Sequence, residues 1–169
     1  YKIGEESYSL GKHGFARDSA FDVVKWNPTE IILSLKSSPE TYTSYPFHFD
    51  FRVGYRLEEN SIIQSFEVIN TDSQTLPFSF GAHPAFNANP IDGHYITFDQ
   101  NEDQESVIIE DGVRGDKTKP VFDENRIQLT QNIFDEDALI FSKLNSNSVV
   151  LKSNEGENQV KVEFEGFPF

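Results

Sequence analysis

From Phe47 the chain alternates with a period of two. Phe47, Phe49, Phe51, Val53, Tyr55 and Leu57 fall on one side, and His48, Asp50, Arg52 and Arg56 on the other. Only an extended backbone sends successive side chains to opposite faces, so this run predicts a long strand with one apolar face. Glu58-Glu59-Asn60-Ser61 is a polar turn, and Ile62, Phe66 and Val68 continue on a partner strand, which makes the whole a hairpin. Ile31, Leu33 and Leu35 alternate with Ile32, Ser34 and Lys36 in an earlier strand. A closing hairpin is expected from 148–152 and 159–164, turning through Asn154-Glu155-Gly156. No window carries an apolar stripe at helical spacing for more than about two turns. Long antiparallel strands joined by polar turns predict an all-β fold, a large antiparallel β-sandwich. The 16 phenylalanines suit such a core, because aromatic rings pack well on a pleated surface. Residues 1–169 read as a single domain or part of one, with no repeat and no low-complexity linker. The connections are expected at 87–93, 100–105 and 111–120.

Charge narrows the partners. With 28 acidic against 14 basic residues the chain carries a formal charge of −14, which disfavours nucleic acid and anionic membranes. No apolar run approaches the roughly 20 residues that span a bilayer, and no secretory signal pattern opens the chain, so a cytoplasmic location is expected. The absence of cysteine removes disulfides and thiol chemistry. His13, His48, His83 and His94 lack the spacing of zinc ligands. His48 is expected to be solvated on the polar strand face, and His94 to sit in a loop. Asp135-Glu136-Asp137 lacks the ligand–glycine pattern of a calcium loop. No phosphate-binding glycine loop and no serine nucleophile elbow is present. Neither a metal nor a cofactor is expected.

Two short segments carry chemistry. After a strand-like run at 77–80 stands Gly81-Ala82-His83-Pro84-Ala85-Phe86-Asn87. Pro84 restricts His83 to extended conformations, so the imidazole at a strand end points one way, as proton transfer requires. Phe86 presents a flat apolar face, and Asn87 both donors and an acceptor, which suits gripping a sugar ring. The alternative is a turn after a strand with an incidental surface histidine. Nearer the start stands Lys12-His13-Gly14-Phe15-Ala16-Arg17-Asp18. Arg17 can hold a hydroxyl or carboxylate through its fork of donors, or form a structural ion pair with Asp18.

Together these segments resemble the aldose 1-epimerase (galactose mutarotase-like) family, and its LacX-type branch in particular, where HGFARD and GAHPAFN occur in this order. The run Phe134-Asp135-Glu136-Asp137-Ala138-Leu139-Ile140-Phe141 resembles a third landmark of that branch, an aspartate followed by a short apolar strand. The resemblance spans residues 1–169. It implies the galactose mutarotase-like supersandwich and ring opening of a free aldohexose without cofactor or covalent intermediate. His83 matches the family's acid, which must be an imidazolium when substrate arrives. His13 matches a second histidine assisting at the ring oxygen or a neighbouring hydroxyl. Asp137 matches an aspartate that accepts hydrogen bonds from sugar hydroxyls. Arg17, Phe86 and Asn87 complete the candidate sugar contacts, although a core role for Phe86 stays open. The hypothesis puts His13, His83 and Asp137 around one concave surface. A sugar phosphate would call for a Lys or Arg cluster, and none is seen.

The chain begins at Tyr1 and contains no methionine. It closes on alternating Val160, Val162 and Phe164, then Gly166-Phe167-Pro168-Phe169. In the family it resembles, further strands follow such a stretch and bring the glutamate general base, and an arginine lies upstream. The expectation is therefore a segment lacking N- and C-terminal portions, with the base beyond Phe169. The alternatives are a short relative that has lost activity, and a catalytically silent sugar-binding or regulatory module of the same fold.

Overall fold

The alternating run folds as a hairpin. In the computed structural model, which describes residues 1–110, 112–156 and 159–166, the long strand is Phe49–Glu58 and its partner Ser61–Asn70. They are antiparallel along their whole length, from Phe49 opposite Asn70 to Glu58 opposite Ser61. The connection is Glu59-Asn60, with Glu59 in the left-handed region at φ 50°. Compactness divides the chain into two units, Tyr1–Ala82 and His83–Phe169, and each is taken by itself.

The first unit contains strands β1 (Lys2–Ile3), β2 (Glu6–Ser7), β3 (Asp22–Asn27), β4 (Glu30–Lys36), β5 (Phe49–Glu58) and β6 (Ser61–Asn70). A short helix α1 (Pro39–Ser44) precedes β5. It starts where Ser38 Oγ accepts from the Thr41 N–H and Thr41 Oγ1 accepts from the Ser38 N–H, a reciprocal cap followed by Pro39. No helix among the described residues is long and apolar enough to cross a membrane. The main sheet runs β3-β4-β5-β6, all antiparallel. Leu35, Phe51 and Val68 are opposite one another, as are Leu33, Val53 and Phe66, so the strands share one apolar face. Leu35, Phe47, Phe49 and Leu76 form the buried cluster, with Phe15, Phe21, Tyr45 and Phe51 packed against it.

Burial along this face is uneven. The core gathers at the Phe49 end, whereas Leu57 is 54% and Ile62 71% exposed. Alternation fixes which face is apolar, and the covering of that face depends on what else folds over it. The polar face has a buried feature of its own, the Asp50 carboxylate. It accepts from the Ser34 hydroxyl at 2.6 Å and from Arg52 Nε and Nη2 at 3.1 and 2.8 Å.

Burial pushes the Asp50 carboxyl up, but the Ser34 hydroxyl and the Arg52 guanidinium outweigh it and hold the group below its ordinary value. A carboxyl depressed in the folded state stabilises above its unfolded pKa of about 3.9, and that contribution disappears as pH falls through the folded value. Asp50→Asn should therefore cost about 1–3 kcal/mol at pH 7 and flatten the acid dependence below about pH 4. Urea unfolding at pH 7 and pH 3 checks this, and an unchanged pH slope would contradict it.

The second unit holds β7 (His94–Phe98), β8 (Ser106–Glu110), β9 (Val113–Lys119), β10 (Arg126–Gln128), β11 (Ser148–Ser153) and β12 (Gln159–Glu163). One antiparallel sheet runs β10-β7-β11-β12, and β8-β9 form a separate hairpin. The closing hairpin β11-β12 matches its sequence pattern. Ile127, Leu129 and Phe98 are buried, and Phe98, Phe122 and Phe141 meet ring to ring at 5.0–6.2 Å. The described part of the chain is thus an all-β fold of antiparallel sheets.

Three local expectations are corrected. The stretch expected as a connection at 111–120 contains β9. Its sequence VRGDKTK has little apolar character because both faces are mostly exposed, so no alternation marks it. A bulge opposite Ile108 accommodates Gly115, where an added Cβ would lie 2.8 Å from the Ile108 carbonyl oxygen. His94 opens β7 rather than lying in a loop, with Nδ1 against the Pro90 carbonyl at 2.8 Å. Residues 77–80 form no strand. Pro77 lacks an N–H for a ladder, and the segment is held instead by Phe80 against Phe51 and Phe66 and by the Tyr45 hydroxyl donating to the Pro77 carbonyl. Asp111 and the closing Phe167-Pro168-Phe169 lie outside the described residues.

Candidate functional site

In the first unit, the segment around His13 is built on Phe15. A turn closed by the Gly14 N–H donating to the Gly11 carbonyl presents His13 to solvent, and Gly14 takes φ +65°, which favours glycine. The chain then turns inward, and the Phe15 ring packs 5.9 Å from Phe49 and 6.0 Å from Tyr45. A single 3-10 turn, Ala16–Asp18, follows, and the Ser19 hydroxyl donates back to the Phe15 carbonyl at 2.9 Å. Phe15 therefore anchors a loop whose polar side chains, His13 and Arg17, stay at the surface. Arg17 Nε stands 3.8 Å from Asp18, too long for a hydrogen bond and mostly exposed on both sides. Such a pair contributes little, so the Arg17 donors remain available.

In the second unit, His83, Phe86 and Asn87 follow one another in a segment without regular structure, and all three are exposed. The expected placement of His83 at a strand end is corrected, because no strand precedes it. Asn87 borders a concave surface of about 490 Å³ together with Asn89, His94, Ser153 and Gln159. Pro90, Leu151 and Val160 supply apolar area to the same surface. Its polar lining is therefore three amides, the Ser153 hydroxyl, the His94 imidazole and the Glu155 carboxylate, beside aliphatic carbon.

Asp137 occupies a different hollow of this unit, also about 490 Å³, floored by Ile96, Phe98, Ile127 and Phe141. It closes a run of turns, its N–H donating to the Phe134 carbonyl at 3.0 Å. Its φ of +73° lies in the left-handed region, which aspartate visits more readily than most residues. Oδ1 accepts from the Ala138 N–H at 2.8 Å. The apolar strand expected after Asp137 is reduced to one bridge, Ile140 to Val107. The reason lies in the neighbouring segment, where side chains of 100–106 take up the backbone groups that a strand would pair. Glu102 accepts from the N–H groups of Asn145 and Ser146 at 2.9 and 2.8 Å. Gln104 accepts from the Ser142 N–H, and Ser106 from the Ile140 N–H at 3.0 Å. Glu102 and Ser106 are buried. Nothing in the sequence singled these residues out, because a polar side chain in a charged connection gives no sign of its distant backbone partner.

Thus His13 and Arg17 share one loop of the first unit, His83, Phe86 and Asn87 one segment of the second, and Asp137 lines its own hollow there. Among the described residues, neither the His13 nor the His83 imidazole makes a hydrogen bond or ion pair. Among the same residues, no three His, Cys, Asp or Glu side chains are grouped to hold a metal ion.

Comparison with known proteins adds the following. The profile described as aldose 1-epimerase matches residues 2–168. Two proteins of Lactococcus lactis subsp. lactis, the plasmid and chromosomal forms of protein LacX, are each 32% identical, over 99% and 94% of this chain. The chain spans 60% and 56% of their lengths. Among solved structures, the galactose mutarotase related enzyme from Lactobacillus acidophilus is 28% identical, with a TM-score of 0.76 over 92% of this chain and 54% of that one. A galactose mutarotase-like protein from Lactobacillus casei shares the fold at a TM-score of 0.83 over 99% of this chain and 60% of its own, with 24% identity.

Proposed function

The chain belongs to the aldose 1-epimerase family, and from that premise we propose that the protein carrying it interconverts the anomers of a free aldohexose by general acid–base ring opening. His83 gives its proton to the ring oxygen as the C1–O5 bond breaks, while a base takes the proton of the anomeric hydroxyl. The open aldehyde turns about C1–C2 and closes by the reverse transfers, so one proton enters and one leaves in each direction. His13 assists at the ring oxygen or an adjacent hydroxyl. Asp137 accepts from sugar hydroxyls, Arg17 donates to them, and Phe86 covers a C–H face of the ring. Each positioned proton-transfer group typically contributes about 10²–10⁴-fold. No residue of 1–169 is assigned as the base.

The observation that carries this reading is the state of the two imidazoles. Both are exposed, and neither is consumed by a structural hydrogen bond among the described residues. A histidine kept for packing would be expected to have a partner. The net charge of −14 further disfavours nucleic acid and anionic lipid as ligands. The second reading, a catalytically silent sugar-binding module, draws on one further fact, that no carboxylate is bonded to either imidazole among the described residues.

Polarimetry on freshly dissolved α-glucose or α-galactose separates the two. Relaxation faster than buffer alone is expected. Saturable sugar binding at the buffer rate would favour the silent module, and neither binding nor rate enhancement would sink both.

A further inference from the structure

The turn that carries Asp137 is gripped from both sides by a single rung of the β8-β9 ladder, in which Ser106 stands opposite Lys119. Before Asp137, the Lys119 ammonium donates to the Glu136 carboxylate at 2.9 Å and to the Ile133 carbonyl at 3.3 Å, with its side chain only 22% exposed. After Asp137, the fully buried Ser106 hydroxyl accepts from the Ile140 N–H at 3.0 Å, and the Val107 N–H donates to the Ile140 carbonyl at 3.0 Å. Asp137 thus lies between two fixed points, one residue after the first and three before the second.

The other bonds of the turn are local ones, the N–H groups of Ile133, Asp135 and Asp137 donating to the carbonyls of Thr130, Asn132 and Phe134, which shape the turn without tying it to the sheet. Asn132, Phe134, Asp135 and Glu136 are exposed, and Asp137 itself holds a left-handed backbone. Exposed turns with few buried contacts open readily. Hydrogen bonds to a charged group are stronger than neutral ones and constrain direction as well as distance. With Oδ1 taken by the Ala138 N–H, the position of the turn decides where the second carboxylate oxygen points.

We propose that Lys119 and Ser106 are positioning residues for Asp137, fixing its carboxylate to receive a sugar hydroxyl. This rests on the reading of Asp137 as a sugar contact given above. A hydroxyl acceptor held in place serves ground state and transition state alike, so losing the grip should weaken binding rather than turnover.

Two kinds of measurement test it in the protein carrying this chain. Lys119→Met removes the donors and is expected to speed hydrogen exchange at the Ala138 amide by about tenfold or more. It should also raise the KM for the aldohexose about tenfold with kcat within about twofold, while Lys119→Arg recovers most of the loss. In an Asp137→Asn background the same substitution should add little, because it acts through Asp137. Lys119→Gln, which is less disruptive at a half-buried site, replaces Lys119→Met if that variant does not fold. Unchanged Ala138 exchange overturns the grip whatever happens to sugar binding. Full additivity with Asp137→Asn overturns the positioning role. An Asp137→Asn variant with wild-type KM instead removes Asp137 from the sugar site and takes the sugar-directed role of the rung with it.

Discussion

Replacing His83 by asparagine is expected to lower kcat for anomer interconversion by about 100-fold or more, with a much smaller change in KM. Asparagine is close to histidine in size and keeps hydrogen-bonding capacity, but it has no proton to deliver to the ring oxygen. Folding should be little disturbed, since the His83 side chain is exposed and makes no hydrogen bond among the described residues. Substitutions at such positions usually stay within about 0.5 kcal/mol. Polarimetry of a fresh α-anomer over a range of sugar concentrations reads both constants. A variant that turns over as fast as wild type would show that His83 is not the acid. A large rise in KM at constant kcat would make it a binding residue instead.

Truncating Phe49 to alanine should destabilise the first unit by about 3–5 kcal/mol. The ring is 5% exposed and sits in the cluster with Leu35, Phe47 and Leu76. It also faces Phe15 and Tyr45 at 5.9 and 5.7 Å, so the cavity would open directly beneath the loop bearing His13 and Arg17. Leu57 provides an internal comparison, because it lies on the same face of β5 and is 54% exposed. Leu57→Ala should cost no more than about 1 kcal/mol, in proportion to the small apolar area it hides. Urea unfolding of the two variants reads the difference. Equal losses at the two positions would mean that the outer end of this face is covered in solution.

That comparison also marks the division between local and distant information in this chain. The period of two from Phe47 to Leu57 identifies β5, its apolar face and its pairing with β6, because alternation is a property of the extended backbone itself. The same logic identifies β4 and the hairpin β11-β12. The motif around His13 likewise shows Phe15 as the apolar residue among polar ones, and the fold uses it as the anchor. The family was legible from the two histidine segments, since their residue order is specific enough to match.

Other features depended on contacts between residues distant in sequence. VRGDKTK carries no apolar alternation, so β9 exists only because β8 pairs with it. Asp50 stands on the polar face of the alternating run, yet Ser34 and Arg52 enclose it. The residues ahead of His83 read as a strand because Phe78 and Phe80 alternate, but Pro77 withholds a donor and ring contacts took the place of a ladder. The fastening of the Asp137 turn was the least legible, since Lys119 and Ser106 are 18 and 31 residues away from it in sequence. Local pattern determined which segments extend and which face of each is apolar. Which faces are covered, which charges are buried and how Asp137 is held were decided by tertiary structure, because burial and hydrogen-bond satisfaction depend on partners that sequence neighbours do not reveal.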